Sequence, residues 1–164
     1  MPERDMTTNM LLSKLKEQFY NLLVHQKVNS FQDYTLAVSF ILKNVFMVKH
    51  VTIYVQNELA KTFETFDSNP SPLFGSNVPK VQLLNKYSQH TENRIHIVDD
   101  KHIVIFLAQH NHLRGVIVFD LPSEFSTSNI LTIAEKIANE VYHVLDTGRS
   151  HFASVTKERK FQIL

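Results

Sequence analysis

An α+β domain of three layers, α/β/α, around a central antiparallel sheet of about five strands with long terminal helices is what this 164-residue chain predicts. Three observations carry that expectation. First, two neighbouring segments, 101–109 (KHIVIFLAQ) and 113–121 (LRGVIVFDL), are apolar on both faces. Ile103, Ile105 and Leu107 point one way while Val104, Phe106 and Ala108 point the other; Val116 and Val118 oppose Ile117, Phe119 and Leu121. An antiparallel strand with one wet face alternates apolar and polar residues, so these two belong in a sheet covered on both sides. Second, the spacing of apolar residues is helical near both ends of the chain. Third, a proline-rich segment interrupts the pattern midway.

The elements follow in order. Thr8 or Asn9 is placed to cap a first helix whose apolar residues, Leu12, Leu15, Phe19 and Leu22, recur at threes and fours along one face. Ser30 with Asp33 imitates a capping box, and the helix it opens is apolar at Tyr34, Ala37, Val38, Ile41, Leu42 and Val45. Val51, Ile53 and Val55 then alternate with Thr52, Tyr54 and Gln56, the period of a strand. Residues 61–66 make a weaker partner across a turn. Residues 67–79 hold Asp67, Asn69, Pro70, Pro72, Gly75, Asn77 and Pro79, and are expected as a loop. A short helix over 80–90 and a strand over 94–98 follow, and Asp99-Asp100 turns the chain into the first central strand.

His110-Asn111-His112 turns between the two central strands, and Pro122 opens a polar cluster before a long helix over 128–145. Asp146-Thr147-Gly148 is expected to end or kink that helix, because glycine is unfavourable inside one. Residues 148–164 are again helix-capable and end in Phe161, Ile163 and Leu164. The organisation predicted is a domain over 1–147 and a helical linker over 148–164 toward a possible downstream domain.

Composition narrows the function. Seventeen Lys and Arg against sixteen Asp and Glu leave a net charge of +1, which offers no electrostatic footprint for nucleic acid or an anionic membrane. The longest apolar region, Leu36 to Val48, is broken by Ser39, Lys43 and Asn44 and is too short to span a bilayer. The N-terminal residues lack the basic start and apolar stretch of a signal peptide, so a cytoplasmic address is expected. Cysteine is absent, which removes disulfides, thiolate metal sites and cysteine nucleophiles together.

Few residues invite chemistry. His110 and His112, with His96 and His102 as possible neighbours, have the spacing of metal ligands. The pair sits at a turn, however, where polar residues serve solvation, and no metal or other cofactor is expected. Arg94 and Arg114 have the chemistry to grip a phosphate or carboxylate, although each also fits a strand end with its head in water. Gly115 opens a buried strand, which suits a close backbone approach or a bulge. No phosphate-binding glycine pattern and no G-x-S-x-G elbow occurs. Tyr54, Phe63, Phe66, Leu83, Tyr87 and Phe106, with Arg94, are the candidates for lining a small-molecule pocket; plain core is the competing reading.

The last helix carries Ile130, Ala134, Ile137, Val141 and Val144 at the four-three spacing of a coiled-coil seam. Ile133, Ala138 and Leu145 widen it, and Leu12, Leu15, Phe19 and Leu22 supply a similar seam. A homodimer through these helices is the expectation. The alternative is that both bury themselves within one domain, as amphipathic helices do.

This order of elements resembles the GAF domain over roughly residues 8 to 147. Residues 101–145 carry most of the likeness: the IVIFLA strand, the Arg114-Gly115-Val116-Ile117-Val118 strand, the Phe125-Ser126-Thr127-Ser128 cap and the long helix from Ile130 to Leu145. The resemblance implies terminal helices on one face of the sheet and a loop-helix segment closing a pocket on the other. It also implies a non-catalytic N-terminal sensory module of a bacterial signalling protein. Such a module binds a small ligand and relays the result through dimeric helices to an output domain, with a diguanylate cyclase favoured. Relatives that hold a bilin through cysteine, or reduce methionine sulfoxide with paired cysteines, are no guide to a chain without cysteine. The cyclic-nucleotide pattern also fails, since Asn85-Lys86 lacks its downstream Phe-x-x-x-Asp-Glu run. The alternative is a dimerising spacer whose pocket is filled by Phe63, Phe66, Leu83, Leu84 and Tyr87.

Overall fold

The computed structural model describes residues 2–25, 28–57, 59–87, 95–109, 112–120 and 127–163. The elements are α1 (Pro2–Val24), α2 (Phe31–Phe46), β1 (Val51–Asn57), β2 (Thr62–Glu64), β3 (Asn77–Pro79), α3 (Lys80–Tyr87), β4 (Ile95–Val98), β5 (His102–Gln109), β6 (His112–Asp120) and α4 (Thr127–Ile163). The strands form one antiparallel sheet in the order β3-β2-β1-β6-β5-β4.

That is six strands, one more than the sequence suggests. The addition is β3, three residues inside the proline-rich segment that pair with β2. It is an edge strand ending on Pro79, a position where a missing N–H costs the ladder nothing. Helix α1 starts at Pro2, not at a cap on Thr8 or Asn9; a proline in the first turn gives up only an N–H that has no helical partner. Helix α2 begins where expected, with the Ser30 hydroxyl accepting from the Asp33 N–H at 3.1 Å. Asp99 and Asp100 both take positive φ (55° and 54°), and the Lys101 N–H donates to the Val98 carbonyl, making a two-residue hairpin turn.

One face of the sheet carries Val51, Ile53, Val55, Ile103, Ile105, Leu107, Ile117 and Phe119. Helices α2 and α4 lie on it, and α1 rests on those two. The opposite face carries Tyr54, Phe63, Val78, Val104, Phe106, Val116 and Val118, with Leu83 of α3 packed against them. The two-sided apolar pattern of the central strands therefore has a helix layer on one side and a loop-helix layer on the other. Leu121, residues 110–111 and the start of the polar cluster (122–126) lie outside the described residues.

Gly115 does what a glycine in a buried strand suggests: a Cβ there would stand 2.8 Å from the Tyr54 carbonyl oxygen of the neighbouring strand. Beside it the β5–β6 register shifts between Leu107 and Ala108. Gly148 departs from expectation. Helix α4 runs straight through it for 37 residues, about 55 Å at 1.5 Å per residue. The position is buried, and a methyl group there would overlap the ring of Tyr34. Glycine at 148 admits a ring; it does not stop a helix.

The seam residues of both terminal helices are taken up inside one chain. Leu12, Leu15, Phe19, Leu22, Ile130, Ala134, Ile137, Val141 and Val144 are all 8% exposed or less, and all but Leu12 belong to the helix-face core. The breadth of the α4 stripe has a local cause: one edge meets the sheet and the other meets α1 and α2. No helix among the described residues is long and apolar enough to cross a membrane.

Candidate functional site

On the loop face, polar side chains of the sheet meet irregular chain in the interior. Strand β1 alternates, so Thr52 and Tyr54 share this face while Val51, Ile53 and Val55 face the helices. The segment between β2 and β3 has no ladder of its own over most of its length, and its buried backbone groups need partners. Thr52 and Tyr54 supply them. The Ser71 N–H donates to Thr52 Oγ1 at 2.9 Å, and both residues are 1% exposed. The Tyr54 hydroxyl donates to the Gly75 carbonyl at 2.6 Å. Gly75 holds φ of +69°, a left-handed turn that brings its carbonyl to the hydroxyl at no Cβ cost. Phe74 meets the Tyr54 ring edge-on at 5.8 Å, and the Gly75 N–H donates to the Ser71 carbonyl at 3.1 Å. Burial, and then the charge of Asp67, push the Tyr54 hydroxyl far above its ordinary pKa, so it stays a neutral donor.

Two imidazoles enter the same face from β4 and β5. His96 pairs in register with Val104 and stacks edge-on against Phe106 at 5.3 Å. His102 lies opposite Asp120, with Nε2 3.9 Å from a carboxylate oxygen. The other Asp120 oxygen accepts from the His50 N–H at 3.0 Å. His102 Nδ1 is buried and makes no hydrogen bond. Among the described residues, no three His, Asp or Glu side chains come together as metal ligands.

Of the residues proposed from sequence to line a pocket, Tyr54, Phe63, Leu83 and Phe106 are brought together on this face, each 7% exposed or less. Phe66 is not: it packs against the helix-face core. It lies three positions after Phe63, and in extended chain an odd offset puts side chains on opposite faces. Tyr87 is the last residue of α3, its side chain outside the described set, and Arg94 lies outside the described residues altogether. Sequence reasoning misses Thr52, Ser71 and Phe74. The one signal in the chain is that Thr52 sits two residues before Tyr54 in an alternating strand. Arg114 stands on the opposite face, beside a small hollow with Val55, Leu107, Tyr142 and Arg149. A second hollow lies between α4 and Ile103, Ile105 and Phe119. Each has room for about one water molecule.

No family model and no curated protein sequence matches the chain. Solved structures do. The free methionine-R-sulfoxide reductase of Neisseria meningitidis, in complex with its substrate, superposes with a TM-score of 0.57 at 14% identity, over 88% of this chain and 93% of that one. The A. aeolicus NLH2 GAF domain in an inactive state gives 0.57 at 14%, over 90% and 98%. The phycoerythrobilin-bound GAF domain of a cyanobacterial phytochrome gives 0.56 at 11%, over 88% and 96%. Identities this low speak to the fold and not to what the chain binds.

Proposed function

We propose that this chain, which has the GAF fold, is a non-catalytic regulatory module. It takes a small ligand on the loop face and passes the change to its terminal helices and, through them, to an output domain such as a diguanylate cyclase. The observation that carries the reading is the way the loop is held. Its backbone hangs on the sheet by two side-chain hydrogen bonds, from Tyr54 and to Thr52, over an aromatic and aliphatic floor. A ligand that offers a better acceptor to Tyr54, or a better donor to Thr52, exchanges with the loop at little net cost. It shifts the module only as far as it binds one arrangement better than the other. The fold alone does not exclude catalysis, since one structural relative is a reductase. The non-catalytic reading rests on the absence of cysteine and of any nucleophile elbow.

Thermal-shift measurements against nucleotides, amino acids and short acyl compounds test it. A stabilising ligand whose effect shrinks in Tyr54→Phe supports the reading; no stabilisation by any of them, or by cell extract, counts against it. One observation favours the second reading, a dimerising spacer: Tyr54, Phe63, Leu83 and Phe106 already fill one another's space.

The homodimer belongs to the same proposal, with its contact moved. The seam residues are occupied, whereas Tyr20, Leu23 and Val24 of α1 are 61%, 41% and 54% exposed. A second chain would meet that outer stripe. Sedimentation of wild type and of Tyr20→Glu with Val24→Glu reads it directly: a dimer lost in the variant supports the contact, and a wild type already monomeric at high concentration removes it.

A further inference from the structure

Helix α4 contains one residue that weakens it, and that residue is held by another element. Glycine in a helix interior is roughly fivefold less favourable than alanine. Here Gly148 stands about fifteen residues before the end of α4. The Tyr34 ring, from the first turn of α2, lies against the helix at that point, where any Cβ would collide with it. The Tyr34 hydroxyl donates to the Val144 carbonyl at 2.7 Å, the same carbonyl that a regular helix offers to the N–H of residue 148. Burial pushes the Tyr34 pKa up to about 12, so the donor keeps its proton. Around this contact Phe152 meets Tyr34 edge-on at 5.9 Å, and the Arg149 guanidinium lies 5.5 Å from the centre of the Phe31 ring. The same first turn of α2 thus holds α4 on both sides of its weakest residue.

We propose that Tyr34 docked on Gly148 is a latch that keeps α4 a single helix. Release of the first turn of α2 breaks the helix at Gly148 and uncouples residues 149–163 from the domain. Glycine performs two tasks in the latch. It admits the ring when α2 is docked, and it lowers helix propensity at the one place where docking is lost. A helical end of some fifteen residues, cut off from tertiary contacts, is marginal in water, so the released segment frays. The latch involves only α2 and α4; it needs no ligand, and it holds or fails apart from the regulatory reading.

Hydrogen exchange on the full chain tests it. In Tyr34→Ala, amides of residues 148–155 should exchange at least tenfold faster, measured at times too short for global unfolding to contribute. Adding Gly148→Ala to Tyr34→Ala should slow those amides again by at least threefold, because the helix regains its propensity without regaining the dock. Gly148→Ala with Tyr34 in place should instead speed the same amides, because its methyl group collides with the docked ring; slowing in both backgrounds overturns the latch. Unchanged exchange over 148–155 in Tyr34→Ala, or a double variant no slower than the single, overturns the latch. If Tyr34→Ala does not fold, half-buried Phe152→Ala decides: a local acceleration of threefold or more over 148–155 supports the latch, and none overturns it.

Discussion

The two faces of the sheet are both buried, but they are closed by different means. On the helix face α2 and α4 bring Val38, Leu42, Ile137 and Val141 against the strands, with Leu15 of α1 packed in the same core behind them, and each helix has already paired most of its own backbone. The buried polar groups of that side, Thr35, Ser39 and the Tyr34 hydroxyl, donate to carbonyls of the helices themselves. The loop face is closed by irregular chain, whose carbonyls and N–H groups must find partners in the sheet's side chains. Hence Thr52 and Tyr54 stand among its apolar residues, and Ser71 is 1% exposed. The lesson is that equal burial does not mean equal permanence. An aliphatic interface resists change because nothing replaces it, whereas a hydrogen-bonded one exchanges partners.

The helix face should therefore fail as a whole. Replacing Ile137 and Val141 with Glu puts two unpaired charges at positions 3% and 0% exposed. Removing a buried charge's partner costs about 3–5 kcal/mol, and charges with no partner at all should abolish cooperative folding, read as loss of the far-UV circular dichroism transition. A folded, soluble variant would show that these side chains lie outside the core.

On the loop face, Thr52→Val keeps the shape but leaves the buried Ser71 N–H without an acceptor, about 1–3 kcal/mol of destabilisation by urea titration. Tyr54→Phe removes the bond to the Gly75 carbonyl and should cost about 0.5–1.5 kcal/mol. Both should speed limited proteolysis within residues 67–76 more than elsewhere. Cleavage that rises evenly along the chain would erase the distinction between the faces.

Each face also carries one buried tyrosine, and the two share a pH dependence. Tyr34 is held at about 12 and Tyr54 higher still, both by burial first. A folded-state pKa above the unfolded value of about 10 contributes stability that is complete below pH 10 and is lost as pH rises toward and through the folded value. Urea midpoints should therefore fall between pH 10 and 12, and Tyr34→Phe with Tyr54→Phe together should flatten that fall. A flat profile in wild type would contradict the burial of both hydroxyls.

The smallest effect is a control that touches neither face. Met47 caps α2 in the left-handed region, with φ of 54° and 90% exposure. Met47→Gly should stabilise by about 0.5–1 kcal/mol in the same titration, since glycine takes that conformation without strain. It should leave the protease pattern unaltered.

What is legible in the sequence follows from the physics of each element. The central strands are readable because apolar residues on both faces of a short segment require cover on both sides. Ser30 and the Asp99-Asp100 turn are readable because caps and tight turns are set by neighbours in sequence. The features that escape a reading of the sequence need distant partners. Gly148 looks like a helix end until Tyr34, more than a hundred residues away, is seen lying on it. β3 is three residues long and includes a proline, so it has no alternation to detect. Composition groups Phe66 with Phe63, although their separation places them on opposite faces. The terminal stripes read as a seam between chains because periodicity shows that a face is buried and not what buries it. Four of the seven pocket candidates do share one face, but the hydrogen bonds that hold the loop there join the Tyr54 and Thr52 hydroxyls to backbone groups with no sequence signature.

Residue-resolved hydrogen exchange in increasing urea tests the central contrast most directly. Amides of β5, of β6 and of α4 between Ile130 and Leu145 should exchange only with global unfolding, converging on one urea-dependent free energy. Amides within residues 67–76 should exchange through a local opening of lower free energy and little urea dependence. Loop amides that converge on the global value instead would show that both faces are one rigid core, and would contradict the contrast between them.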